Sequence, residues 1–243
     1  MIKGLYRSAS GMLPRIDKQE AIAHNIANAG TTGFKKNVVF AKELARAENR
    51  VRPRKSDWEA TVASYITVDH APGVFDKTDN PLDLAIEGDG FFALQAEDGS
   101  TVLTRSGSFV VDSEGFLAFP GGLRLIGDGG PVQVGTGVLS VSQTGEVDVS
   151  GVSVGRIVPQ AVADLNRLVR LGGSLFAVPE GEQLLPPISA TVRQGYLETS
   201  NVDVVNEMVD MIVAYRTYEA NARALQTQDS TLDQLMNKVA GRR

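Results

Sequence analysis

The 243-residue chain has no cysteine, which excludes disulfides, thiolate metal sites and a cysteine nucleophile, and leaves the protein indifferent to redox compartment. Histidine is nearly as scarce. His24 and His70 are the only two, and neither stands at ligand spacing from a second histidine with a carboxylate, so no metal site and no histidine acid–base pair is expected. Long apolar runs are also missing. Nothing approaches the roughly 20 consecutive apolar residues of a membrane span, and the opening MIKGLYRSASGMLPRIDKQE has no unbroken apolar stretch of the signal-peptide kind. Taken alone, this reads as a cytoplasmic protein without direct membrane insertion. An excess of positive charge is lacking too: 24 Lys and Arg stand against 29 Asp and Glu, a net charge of -5. That argues against nucleic acid as a partner, because a phosphate backbone is held by a surplus of Lys and Arg. The one basic cluster, RAENRVRPRK at 46–55, reads as a solvated connector.

What is present is enough to build a core, since 42% of residues are hydrophobic and 22% charged, the usual proportions of a folded domain. At the N-terminus Ile2, Leu5, Ala9, Met12, Ile16, Gln19, Ala23 and Ile26 recur at alternating steps of three and four, a heptad stripe on a helix. Pro14 interrupts it, so this helix is expected to kink or to start there. Gly30 is placed as the left-handed residue that closes it. At the C-terminus Val204, Met208, Met211, Tyr215, Tyr218, Ala222, Leu225, Leu232, Met236 and Val239 repeat the pattern, broken only by Asp229. A helix over 201–240 follows, with Ser200 and Asp203 as a short capping box. Between the ends, FVVDSEGFL (109–117) and LSVSQTGEV (139–147) alternate apolar positions around a polar loop ending in Gly, the pattern of a hairpin.

The expected fold class is therefore α+β: N- and C-terminal α-helices paired as a coiled-coil layer, with a central all-β domain of short antiparallel strands and hairpins. The expected divisions are an N-terminal helix (1–34), an extended connector (35–70), the β domain (71–195) and a long C-terminal helix (196–243). Two stripes nearly two hundred residues apart are most simply satisfied if the ends meet and the β domain loops out between them.

Chemistry finds little support. GDGFFA (88–93) matches a dinucleotide fingerprint, but FFALQ alternates as a strand where the fingerprint requires a helix N-terminus. Ser106 and Ser153 lack the strand-to-helix elbow of a nucleophile, and the Asp112–Gly115 loop has too few ligands for calcium. No catalytic, cofactor-binding or metal-ligating residue is assigned.

Four stretches together resemble the flagellar basal-body rod proteins, relatives of the hook protein: NIANAGTTGFK (25–35), TDNPLDLAIEGDGFF (78–92), LTRSGSF (103–109) and QGYLETSNVDVVNEMVDMI (194–212). The resemblance spans nearly the whole chain. It implies a structural subunit rather than an enzyme, without cofactors, exported unfolded by the flagellar type III apparatus and assembled in the periplasmic rod, which replaces the cytoplasmic reading. Its implied partners are other rod and hook-basal-body subunits, in a homo- and hetero-oligomeric helical assembly. The short chain favours a proximal-rod protein, with a distal-rod protein as the alternative. A nucleotide-binding or adhesive β domain on an oligomerising coiled coil is the rival from another class. The stripe residues Ile2, Leu5, Met12, Ile16, Ile26, Val204, Met208, Met211, Tyr215, Tyr218, Leu225, Leu232 and Met236 become the expected subunit interface, and Gly30, Gly33 and Phe34 the turn into the connector.

Overall fold

A computed structural model describes residues 2–44, 61–96, 98–179, 181–185, 187 and 189–240; the side chains of 2–11, 41–44, 61–64, 232, 235, 236 and 238–240 lie outside that description. So do the basic cluster at 46–55 and the side chains of Ile2, Leu5, Leu232 and Met236. The architecture is α+β, with two long helices and a β-rich middle. The chain divides into a helical unit, holding both helices and Asn37–Asp69, and a β unit formed by Asn28–Lys36 and His70–Val202.

In the helical unit, α1 spans Ile2–Ala27 with Pro14 inside it rather than at its start. Strands β1 (Asn37–Leu44) and β2 (Thr61–Val68) form an antiparallel hairpin in full register from Asn37↔Val68 to Leu44↔Thr61. Both lie in the segment expected as a plain extended connector, and the β-branched pairs Val38–Val39 and Thr67–Val68 suit a pleated ladder. Helix α2 runs Val204–Ala240, about 55 Å at 1.5 Å per residue. It begins at Val204 rather than Asn201 because Asp203 is the cap: Oδ1 accepts the Val205 and Asn206 amides at 3.0 and 3.1 Å. Ser200 takes no part, its hydroxyl accepting the Val202 amide instead. The helices lie against each other in antiparallel sense, for Asn25 near the end of α1 donates to Glu207 at the start of α2, and Lys18 pairs with Asp210 at 3.0 Å.

The β unit contributes, in chain order, β3 (Phe75–Lys77), β4 (Leu84–Gly88), β5 (Phe92–Gln95), β6 (Thr101–Thr104), β7 (Val110–Val111), β8 (Leu117–Phe119), β9 (Leu123–Gly127) and β10 (Gly130–Pro131). Next come β11 (Leu139–Val141), β12 (Glu146–Val149), β13 (Val152–Arg156), β14 (Ala161–Val162), β15 (Val169–Gly172), β16 (Leu175–Ala177), β17 (Leu184–Leu185), β18 (Ala190–Gln194) and β19 (Tyr196–Glu198). The largest sheet runs β15-β16-β6-β5-β9-β8-β7, with β10 added to β9, beside the three-stranded β11-β12-β13. Strand β18 pairs with β4, β19 with β3 and β14 with β17. Both expected hairpins are present, β7–β8 turning at Gly115 (φ 84°) and β11–β12 at Gly145 (φ 85°). Between β14 and β15 lies a single 3₁₀ turn, Leu165–Arg167, capped by Asp164. One core joins these sheets: Leu84, Ile86, Phe92, Leu94, Phe109 and Leu125 are sealed from solvent, each such side chain contributing about 1.5–3 kcal/mol on burial.

Candidate functional site: helix faces and a buried charge cluster

Within the helical unit, the face of α1 that is covered carries Pro14, Ala21, Ile22 and Asn25. At 100° per residue this lies roughly 140° around the helix from the heptad stripe. The stripe residues Met12 and Ile26 are accordingly half-exposed, and Ile16 is exposed. On α2 the buried Ala214 marks the covered face, with Val204, Met211, Tyr218 and Leu225 partly sheltered along it. Met208 and Tyr215 fall outside this seam, 51% and 60% exposed. Val205, Val209 and Ile212 extend them into an uncovered apolar strip, each more than half exposed. The helix is thus greasy over two adjacent faces, of which one is used within the chain.

The turn residues sit in the β unit. After α1 the chain turns through hydrogen bonds from the Thr31 amide to the Asn28 carbonyl (3.0 Å) and from the Phe34 amide to the Thr31 carbonyl (3.3 Å). These turns finish the helix, and Gly30 is not left-handed; the positive φ falls at Gly33, +65°. A side chain there would come within 2.2 Å of the Ser106 amide nitrogen. Phe34 is fully buried, with the Arg170 guanidinium 4.7 Å above its ring.

Beside Phe34 lies the feature that the sequence reading missed. Glu198, with no exposed surface, accepts from Lys35 Nζ at 2.5 Å, Arg105 Nε at 2.8 Å and the Gly73 amide at 3.0 Å. Lys35 also donates to the Ala71 carbonyl at 2.8 Å, and Arg105 uses its remaining nitrogens on the carbonyls of Gly90 and Gly88. Two buried cations thus face one carboxylate, and backbone oxygens supply the rest of the solvation lost on burial. Arg170 donates to the carbonyls of Lys35 and Gly173; its burial lowers it from the ordinary arginine value while leaving it charged. Asn201 completes the arrangement, accepting the Lys36 amide at 2.8 Å and donating to the Ala71 carbonyl. The signal was in plain view: Lys35, Gly88, Gly90, Arg105, Glu198 and Asn201 come from the four family-like stretches, one or two from each.

The geometry holds rather than reacts. GDGFFA forms the end of β4, a turn and the start of β5, with no helix N-terminus for a pyrophosphate. A cavity of about 520 Å³ adjoins it, lined by Phe75, Phe91, Lys35 and Arg105 among others, but those two cations are already engaged by Glu198 and main-chain carbonyls. Among the described residues no group of three or more histidines or carboxylates is placed to hold a metal ion, and no helix is long and apolar enough to cross a membrane.

Comparison with known proteins accounts for this pattern. The model for the flagella basal body rod protein matches residues 5–35, that for the flagellar hook protein FlgE/F/G D1 domain matches 85–149, and that for the flagellar basal body rod FlgEFG protein C-terminal region matches 193–238. The flagellar basal-body rod protein FlgG of Bacillus subtilis is 30% identical over 98% of this chain and 99% of its own length. FlgG of Borreliella burgdorferi is 32% identical over 96% and 97%, and FlgF of Escherichia coli 30% over 94% and 95%. Two terminal helices packed on each other, an ion-clamped β unit and full-length similarity lead to one statement: the chain belongs to the flagellar basal-body rod protein family.

Proposed function

We propose that this protein is a structural subunit of the bacterial flagellar rod, the periplasmic drive shaft, and that its terminal helices pair as coiled-coil elements of an inner tube that transmits torque. The carrying observation is the uncovered strip Val205, Met208, Val209, Ile212 and Tyr215 on α2, joined by the heptad stripe of α1, which points away from the face that α1 buries. Apolar strips of this length left in water on a single chain mark an interaction surface, and a surface repeated head to tail generates an open helical array rather than a closed ring. The expected interface residues divide accordingly. Met211, Tyr218 and Leu225 join helix to helix within the chain; Met12, Ile16, Ile26, Met208 and Tyr215 meet neighbouring subunits. Delivery by the type III export apparatus and assembly with other rod and hook-basal-body subunits complete the reading.

The test is Ile212→Asp in cells. Loss of swimming and absence of the chain from purified basal bodies, with the β unit still folded, is the expected outcome; normal rod yield would remove α2 from the interface. Electron microscopy of basal bodies carrying the labelled chain distinguishes a proximal-rod position, favoured by the short chain, from a distal one. The rival nucleotide-binding reading predicts heat on titration with common nucleotides, which the engaged cations beside GDGFFA argue against.

A further inference from the structure

Segment 190–201 is the last part of the β unit in chain order, and it supplies partners to several earlier parts. Val192 enters the main core. The Gln194 side chain donates to the Pro81 and Leu139 carbonyls at 2.8 and 3.0 Å and accepts the Val141 amide at 3.0 Å. The Gly195 amide donates to the Asp83 carbonyl at 2.8 Å, and its carbonyl accepts the Thr78 amide at 2.9 Å. The Glu198 carbonyl accepts the Gly33 amide at 2.7 Å, while its carboxylate reaches Arg105 and, 163 residues back in the chain, Lys35. Strand β4, whose Leu84, Ala85 and Ile86 are wholly buried, has β18 as its sole strand neighbour among the described residues.

Without this segment, Lys35 and Arg105 would keep main-chain carbonyls but face no carboxylate to offset their charge, and one edge of β4 would lose its ladder inside an apolar interior, a costly condition for buried charges and amides. Leaving them in water instead means leaving the core open. We infer that the β unit is built to stay unfolded until Glu198 arrives, and then to close in one step. A chain emerging N-terminus first, from a ribosome or a transport channel, keeps this unit pliable until its last strand is delivered. Closure is thereby coupled to the segment that leads directly into α2. The inference stands on the chain order and the buried charges and does not depend on the assembly reading.

Refolding of the full-length chain from denaturant, followed by pulsed hydrogen exchange with peptide-resolved mass spectrometry, tests it. Peptides covering 84–104 and 190–198 are expected to gain protection with the same rate constant. Earlier protection of 84–104, while 190–198 still exchanges, overturns the idea. In the full-length Glu198→Gln variant both regions are expected to slow together, by about tenfold or more; slowing confined to 190–198 also overturns it. Should that variant fail to fold, the comparison of the two regions in the unaltered chain decides alone.

Discussion

A carboxylate buried against two cations is costly unless both its oxygens are bonded, and in Glu198 Oε1 accepts from Lys35 and the Gly73 amide while Oε2 accepts from Arg105. Glu198→Ala leaves both cations uncompensated, so the β unit is expected to lose about 3–5 kcal/mol, read as a lower denaturant midpoint at unchanged slope. A loss under about 1 kcal/mol would mean that water has replaced the carboxylate. Asp112 offers a second residue-scale test. The Phe116 amide, then the Glu114 amide and Arg124, hold its carboxyl below the ordinary aspartate value. Since the folded value is the lower one, its contribution is present above the unfolded value, about 3.9, and is lost as pH falls through the folded value. Carbon-13 titration of Asp112 should therefore show a midpoint below about 3.9, and Arg124→Ala should raise it. Some of this scale was readable. Phe34, expected in the turn that follows α1, is sealed in the β unit. Glu198 escaped because its partners lie 163 and 93 residues away, and no local pattern announces a long-range ion pair.

For single elements, periodicity identified both helices and both hairpins, because a repeat of 3.6 or 2 is a local property. It could not say which stripe would be covered. The heptad stripe of α1 is real as a pattern, yet Ala21, Ile22 and Asn25 are the residues that bury, Asn25 through a reciprocal pair of hydrogen bonds to the Asn37 backbone that ties this face to β1. The start of α2 was misread by three residues because Asp203 competes with Ser200 for the cap and wins, bonding two amides. Asp203→Ala should destabilise the first turn of α2 by about 1 kcal/mol, visible as faster amide exchange at Val205 and Asn206. A second expectation concerns the whole helix. With one apolar face bare, α2 in a verified monomer should exchange its amides between Met208 and Gln228 far faster than the β core around Leu84 and Leu94. Equal protection in the two regions would mean that α2 needs no neighbour.

At the scale of the molecule, Leu225 belongs to the sheltered seam of α2, so Leu225→Asp is expected to abolish rod incorporation through the helical unit while the β unit keeps its denaturation midpoint. Unchanged motility would show that this seam carries no load. The α+β class was legible from texture alone, as strands with Gly turns lay between two heptad ends. The composition of the units was not. Asn28–Lys36 joins the β unit from across the chain, drawn there by Lys35 and Phe34, and segment 35–70 pairs with itself as β1 and β2.

The Gly33 amide meets the Glu198 carbonyl at 2.7 Å, and the Asn201 amide meets the Phe34 carbonyl at 3.4 Å, so within the β unit its first segment is stitched to its last. The stretch His70–Val202 is then a cassette. Strand turns such as the one joining Phe119 to Leu123 can lengthen, shrink or receive a foreign domain without moving those two stitched segments. A lineage could thus resize the part it displays while its shaft-forming ends stay interchangeable.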